Sequence, residues 1–204
     1  MTSPFIIYAL PRSRTKWLSV LLTHGDWKCH HEIALGMRTW ADVLAFFRRP
    51  GTGTAETAAA PGWRLLHHHL PDQRAIVVRR PVDEVVPAIM QAAKGTAVYD
   101  EGRLRRMMTY GHRMLEQVAA QPGVLSVDFA DLAREECCAA VFGHCLGQPL
   151  PRDHWAALRG RNIQVRYQAV LRYYHTHRAE VEGFKRACRT EMRALALARA
   201  GQAA

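Results

Sequence analysis

The 204-residue chain is 49% hydrophobic, enough for one domain around a single core. Its five cysteines are odd in number and irregularly spaced, which argues against a disulfide framework. The N-terminus lacks the pattern of a secretory signal and no window holds 18 consecutive apolar residues, so the reading is a soluble, cytoplasmic protein that no membrane holds. Lysine and arginine number 28 against 18 acidic residues, a formal +10 that favours an anionic partner. Much of this charge lies along helix-like stretches, and no recognised nucleic-acid motif accompanies it, so nucleic-acid binding ranks last among its explanations.

In chain order, the apolar run Phe5 to Ala9 reads as a buried strand. Pro11 ends it, and Trp17, Leu18, Leu21 and Leu22 then recur at helical spacing. Residues 50–62, PGTGTAETAAAPG, carry almost no large apolar side chain and read as a mobile surface loop. His67, His68 and His69 read as part of a strand. A second buried strand covers Ala75 to Val78, followed by a helix with Val82, Val85, Val86 and Ile89 on one face. A third covers Val124 to Val127, with a helix from about Leu132 to Leu146 closed by Gly147. A last helix runs from about Ile163 to Ala200, its apolar side being Val165, Leu171, Tyr174, Val181, Phe184 and Leu195. Short buried strands alternating with helices predict an α/β fold of three layers, a mostly parallel sheet with helices on both faces. The whole of 1–204 reads as one domain.

The first strand-to-helix turn concentrates Arg12, Ser13, Arg14, Thr15 and Lys16 before Trp17. Three cations at a helix start are unfavourable without an anion to hold, while hydroxyls, guanidinium groups and free backbone amides are the donors an anion needs. The loop has no glycine between Tyr8 and Trp17, so it is not a Walker A loop, which requires two.

Pro11, Arg12, Ser13, Thr15 and Trp17 stand in register with the 5′-phosphosulfate loop of sulfotransferases, which this segment resembles, with Arg14 where that family carries glycine. The resemblance continues in Arg79-Arg80-Pro81-Val82-Asp83, similar to the family's second signature, and in the segment Val124 to Pro151, similar to its third strand and helix. Leu158 to Asn162 echoes its basic closing loop. The resemblance implies a P-loop-NTPase-like sulfotransferase architecture, with 3′-phosphoadenosine 5′-phosphosulfate as co-substrate, no metal, and an unidentified hydroxyl or amine acceptor. It implies that the loop from Arg12 to Trp17 holds the phosphosulfate, that Arg12 stabilises charge on the bridging oxygen, that Arg79 meets the 3′-phosphate, and that Arg159 or Arg161 closes over the nucleotide. Pro87 stands where family members commonly carry a 3′-phosphate-binding serine.

A base must take the acceptor's proton. Two segments offer one: Cys29-His30-His31-Glu32, where several sulfotransferases carry a catalytic glutamate, and Leu66 to Pro71, similar to a segment whose histidine is the base, with His69 in register. Glu32, with its neighbour His31, and His69 both stay open at this point. Neither cluster has the i, i+4 ligand spacing of a helical zinc site. A module of the same fold that binds nucleotide without turnover is the competing reading.

Overall fold

The computed structural model describes residues 3–94, 100–163, 172, 173 and 176–202. The run Phe5–Ala9 forms β1, with all five residues buried. It is followed by α1 (Thr15–Leu21), β2 (Lys28–His31), α2 (Trp40–Phe47), β3 (Thr52–Glu56), α3 (Trp63–His69), β4 (Arg74–Arg79) and α4 (Val82–Ala93). The remaining elements are α5 (Glu101–Ala119), β5 (Leu125–Asp128), α6 (Glu135–Leu146), α7 (Arg152–Leu158) and α8 (Arg178–Gln202).

The five strands pair in the order β2-β3-β1-β4-β5, every pair parallel. Side chains alternate across β1, so Phe5, Ile7 and Ala9 enter one core with α1, α6 and α7, while Ile6 and Tyr8 enter a second with α2 to α5. Each fully buried Leu, Ile or Phe contributes about 1.5–3 kcal/mol. Helices therefore cover both faces, as the alternating pattern predicts. The consequence for a ligand lies at the carboxyl edge. β1 leaves toward one face through α1, whereas both neighbours, β3 and β4, leave toward the other, which makes the loop after β1 a topological switch point, the place where such sheets bind ligands.

Two expectations are corrected. Residues 50–62 are not a mobile loop, because they contain β3, buried along its whole length between β1 and β2. A strand paired on both edges has its backbone hydrogen bonds supplied and is covered by its neighbours' side chains, so it needs no large side chains of its own. Gly53 is required there: a Cβ would lie 2.1 Å from the Phe5 ring. The three histidines lie in α3 rather than a strand, since Trp63, Leu65 and Leu66 are buried at helical spacing.

The described helices extend the sequence pattern with small shifts. Helix α6 begins at Glu135 after a 3-10 turn at Ala130–Ala133, and Gly147 ends it with φ 71. Pro87 sits inside α4. In α8, Val181 is buried, Phe184 packs on the second core and Leu195 is half-buried; Val165, Leu171 and Tyr174 lie outside the described residues. Among the described residues no helix is long and apolar enough to cross a membrane.

Candidate active site

The loop after β1 is held in a demanding backbone conformation. Arg12 (φ 66) and Arg14 (φ 59) are both left-handed, a region that costs a non-glycine residue about 1–2 kcal/mol. This explains the glycine that the resembled loop carries at the position of Arg14. Here the Arg14 guanidinium instead lies 5.4 Å from the Phe129 ring and 5.9 Å from that of Trp17, contacts that offset part of the cost. Ser13 is fully buried, and its Oγ has no hydrogen-bond partner among the described residues.

On the β4 side of the loop a cleft of about 430 Å³ is lined by Arg12, Arg14, Arg80, Arg159 and Arg161, with Phe129 and Trp17. Arg80 is fixed by three contacts. Its Nη1 donates to the Arg12 carbonyl, its Nε donates to Glu84 at 3.2 Å, and its guanidinium stacks 4.0 Å from the Phe129 ring. Trp17 Nε1 donates to the Leu158 carbonyl at 3.0 Å, which ties α1 to the end of α7 and so positions the Arg159–Arg161 segment beside the loop.

Arg79 stands apart from this group. Its Nε and Nη2 donate to the two carboxylate oxygens of Glu116 on α5, at 3.0 and 3.2 Å. Of two adjacent arginines, the one that follows β4 lines the cleft and the one that ends β4 does not.

The β3 side of the loop is acidic and buried. His31 Nε2 lies 3.0 Å from Thr15 Oγ1, linking β2 to the start of α1. Burial, aided by the positive charge of Lys16, lowers His31 to about 4, so its imidazole is neutral at neutral pH. Glu32 follows in a left-handed turn, φ 54, with its N–H donating to the Ala55 carbonyl. Thr57 Oγ1 donates to Glu32 Oε1 at 2.5 Å. Burial raises Glu32 above the ordinary carboxyl value, and the Thr57 bond partly offsets it. Beside it Glu56 is 3% exposed, accepts from Thr54 Oγ1 at 2.6 Å and the Ala34 N–H at 3.3 Å, and is raised to about 7, chiefly by burial.

His69 belongs to neither flank. It pairs with Glu191 of α8 at 3.1 Å and lies beside Trp40. Glu180, eleven residues earlier on α8, pairs with Arg38, so at 1.5 Å per residue His69 sits roughly 16 Å further along that helix. Of the residues singled out from sequence, the structure groups Arg12, Arg14, Trp17, Arg159 and Arg161 on one side of the loop, with Ser13 buried within it. Thr15, Lys16, His31 and Glu32 lie on the other, and Arg79 and His69 join neither group. Sequence reasoning missed Arg80, Phe129, Thr57 and Glu56. Glu56 carried a signal, as the one acid in a segment otherwise made of small residues, proline, glycine and threonine. Among the described residues no three His, Cys, Asp or Glu side chains form a group that could hold a metal ion.

No protein-family model matches the chain, and no curated protein matches it. Among solved structures it is similar to a sulfotransferase domain from the curacin biosynthetic pathway, with a TM-score of 0.59 and 11% identity over 83% of this chain and 82% of that one. At such low identity the likeness is one of fold. The chain thus has a sulfotransferase-like fold, a five-stranded parallel sheet between two layers of helices.

Proposed function

We propose that this protein transfers a sulfuryl group from 3′-phosphoadenosine 5′-phosphosulfate to a hydroxyl or amine of an acceptor. The observation that carries the reading is the cleft lined by five arginines at the turn after β1 of a sulfotransferase-like fold. Five guanidinium groups with no acid among the described lining residues, and a partnerless Ser13 hydroxyl in the same turn between Arg12 and Arg14, fit an anionic group.

The donor, when bound, supplies the activated sulfuryl group. Arg12, Ser13 and the loop amides from Arg14 onward hold its negative end, with Arg12 offsetting charge that develops during transfer. Arg80, Arg159 and Arg161 would hold its remaining anionic groups, taking the part that the sequence resemblance assigned to Arg79. Glu32 takes the acceptor's proton at its carboxylate, which Thr57 orients. His31, neutral and bonded to Thr15, keeps the base segment in register with the anion loop.

Calorimetric titration with 3′-phosphoadenosine 5′-phosphate, against AMP and ATP, tests the reading. Binding that depends on the 3′-phosphate is the expected result; equal affinity for all three overturns it. The strained Arg14 in place of the resembled loop's glycine favours one second reading, a module that binds nucleotide without transfer. In that case 3′-phosphate-dependent binding is accompanied by no turnover on a panel of phenol, sugar and amine acceptors.

A further inference from the structure

The buried acid next to the proposed base has no role in the mechanism above. Glu56 ends β3 with 3% of its surface exposed, and no lysine or arginine pairs with it among the described residues. The titratable groups that face it are Tyr8 of β1, Cys29 of β2 and Glu32 in the turn after β2. Burial pushes Tyr8 and Cys29 up and keeps both neutral, while Glu32 is itself acidic. Lys16 bears on Cys29 and His31 and forms no ion pair with Glu56 among the described residues. A carboxylate in such a place lacks both water and a counter-charge, which makes ionisation costly.

Its hydrogen bonds show what the side chain holds. The Thr54 hydroxyl and the Ala34 N–H both donate to Oε1, so a proton on Oε2 disturbs neither; the Ile33 N–H also bears on the carboxyl and favours its charged form. Ala34 lies two residues after Glu32, in the 3-10 turn that follows Glu32's left-handed backbone. With Glu32 N–H bonded to Ala55 O and Thr57 bonded to Glu32 Oε1, β3 and its extension grip the base at its main chain, its side chain and the following turn.

We propose that Glu56 is a positioning residue for Glu32 that works uncharged: its carboxyl holds the turn carrying Glu32, and the pair's single negative charge stays on Glu32. The inference rests on the reading of Glu32 as the base. Two like charges in one dry site are avoided, and the less buried member of the pair is the one that ionises. Burial raises Glu56 to about 7, so the division holds at pH values below that.

The test follows glutamate side-chain carboxyl carbons by NMR from pH 4 to 8 in the wild-type chain, E56Q and E56A, together with amide exchange at Ala34. In the wild type, the Glu56 signal, identified by its loss in E56Q, is expected to titrate near 7 and after Glu32. In E56Q the amide oxygen accepts the same two bonds, so Ala34 exchange stays within about twofold; in E56A it rises about tenfold or more. A Glu56 midpoint at or below that of Glu32, or Ala34 protection lost in E56Q, or Ala34 exchange and Glu32 titration unchanged in E56A, would overturn the inference. These readings need neither donor nor acceptor. Failure of 3′-phosphoadenosine 5′-phosphate to bind would sink the sulfotransferase reading while leaving the carboxyl midpoints as they are.

Discussion

The two flanks of the loop after β1 are electrostatic opposites built on one turn. Toward β4, five arginines line an open cleft with no acid among its described lining residues. Toward β3, two glutamates and a neutral histidine are drawn out of water. Guanidinium groups stay charged whatever their surroundings, so they act by being gathered; carboxyl and imidazole groups change character with burial, so they act by being placed. The first flank suits holding an anion, and the second suits moving a proton.

Breaking the second flank should cost most. Glu32→Gln is expected to slow transfer by about 10²–10⁴-fold, as for loss of a general base, while affinity for 3′-phosphoadenosine 5′-phosphate stays within about twofold. Equal losses in binding and turnover would mean that Glu32 belongs to the anion flank.

The same flank predicts a pH dependence of stability. Glu56 ionises at its ordinary 4.5 when unfolded and near 7 when folded, so between these values the folded state holds a proton the unfolded chain has lost, and stability falls as pH rises. His31 acts oppositely: lowered from 6.5 to about 4, it makes stability fall as pH drops through that window. The contrast between E56Q and wild type isolates Glu56. Denaturant unfolding should show E56Q gaining on the wild type from pH 4.5 to 7, by on the order of 3 kcal/mol. A constant difference would mean Glu56 is charged in the folded state throughout.

On the anion flank, Arg12→Ala is expected to weaken nucleotide binding and to reduce transfer by about a hundredfold. Unchanged activity would remove the cleft from the mechanism. Beneath the acid flank lies β3, and Gly53→Ala drives a methyl into the Phe5 ring, costing about 1–3 kcal/mol in denaturant unfolding. A neutral result would restore the loop reading of this segment. The finest distinction is between adjacent arginines: Arg80→Ala should weaken nucleotide affinity about tenfold, whereas Arg79→Ala, which breaks an exposed pair with Glu116, should change it by less than about threefold. The reverse order would return 3′-phosphate recognition to Arg79.

Much of the anion flank was legible because its signals are local. β1 is a continuous apolar run, Arg12, Ser13 and Arg14 follow within five residues of its end, and charge at such a turn is visible without knowing what packs there. The acid flank was half legible: Glu32 stood out after two histidines, but Glu56 was hidden in a stretch read as loop. Arg79 and Arg80 could not be separated from sequence, since successive residues at a strand end point to opposite sides and only the packing of α5 decides which one meets Glu116.

By itself the sequence determined the alternation of buried strands and helices, the parallel sheet they imply, and the cationic turn after β1, all of which depend on residue type and short spacing. The tertiary structure alone decided that Thr52–Glu56 is an interior strand, that His69 pairs with α8, and that Glu56 lies beneath the turn of Glu32. Those outcomes depend on which segments cover one another: a stretch of small residues is a loop in water and a strand between two strands, and a carboxyl changes its proton affinity only once its neighbours have excluded the solvent.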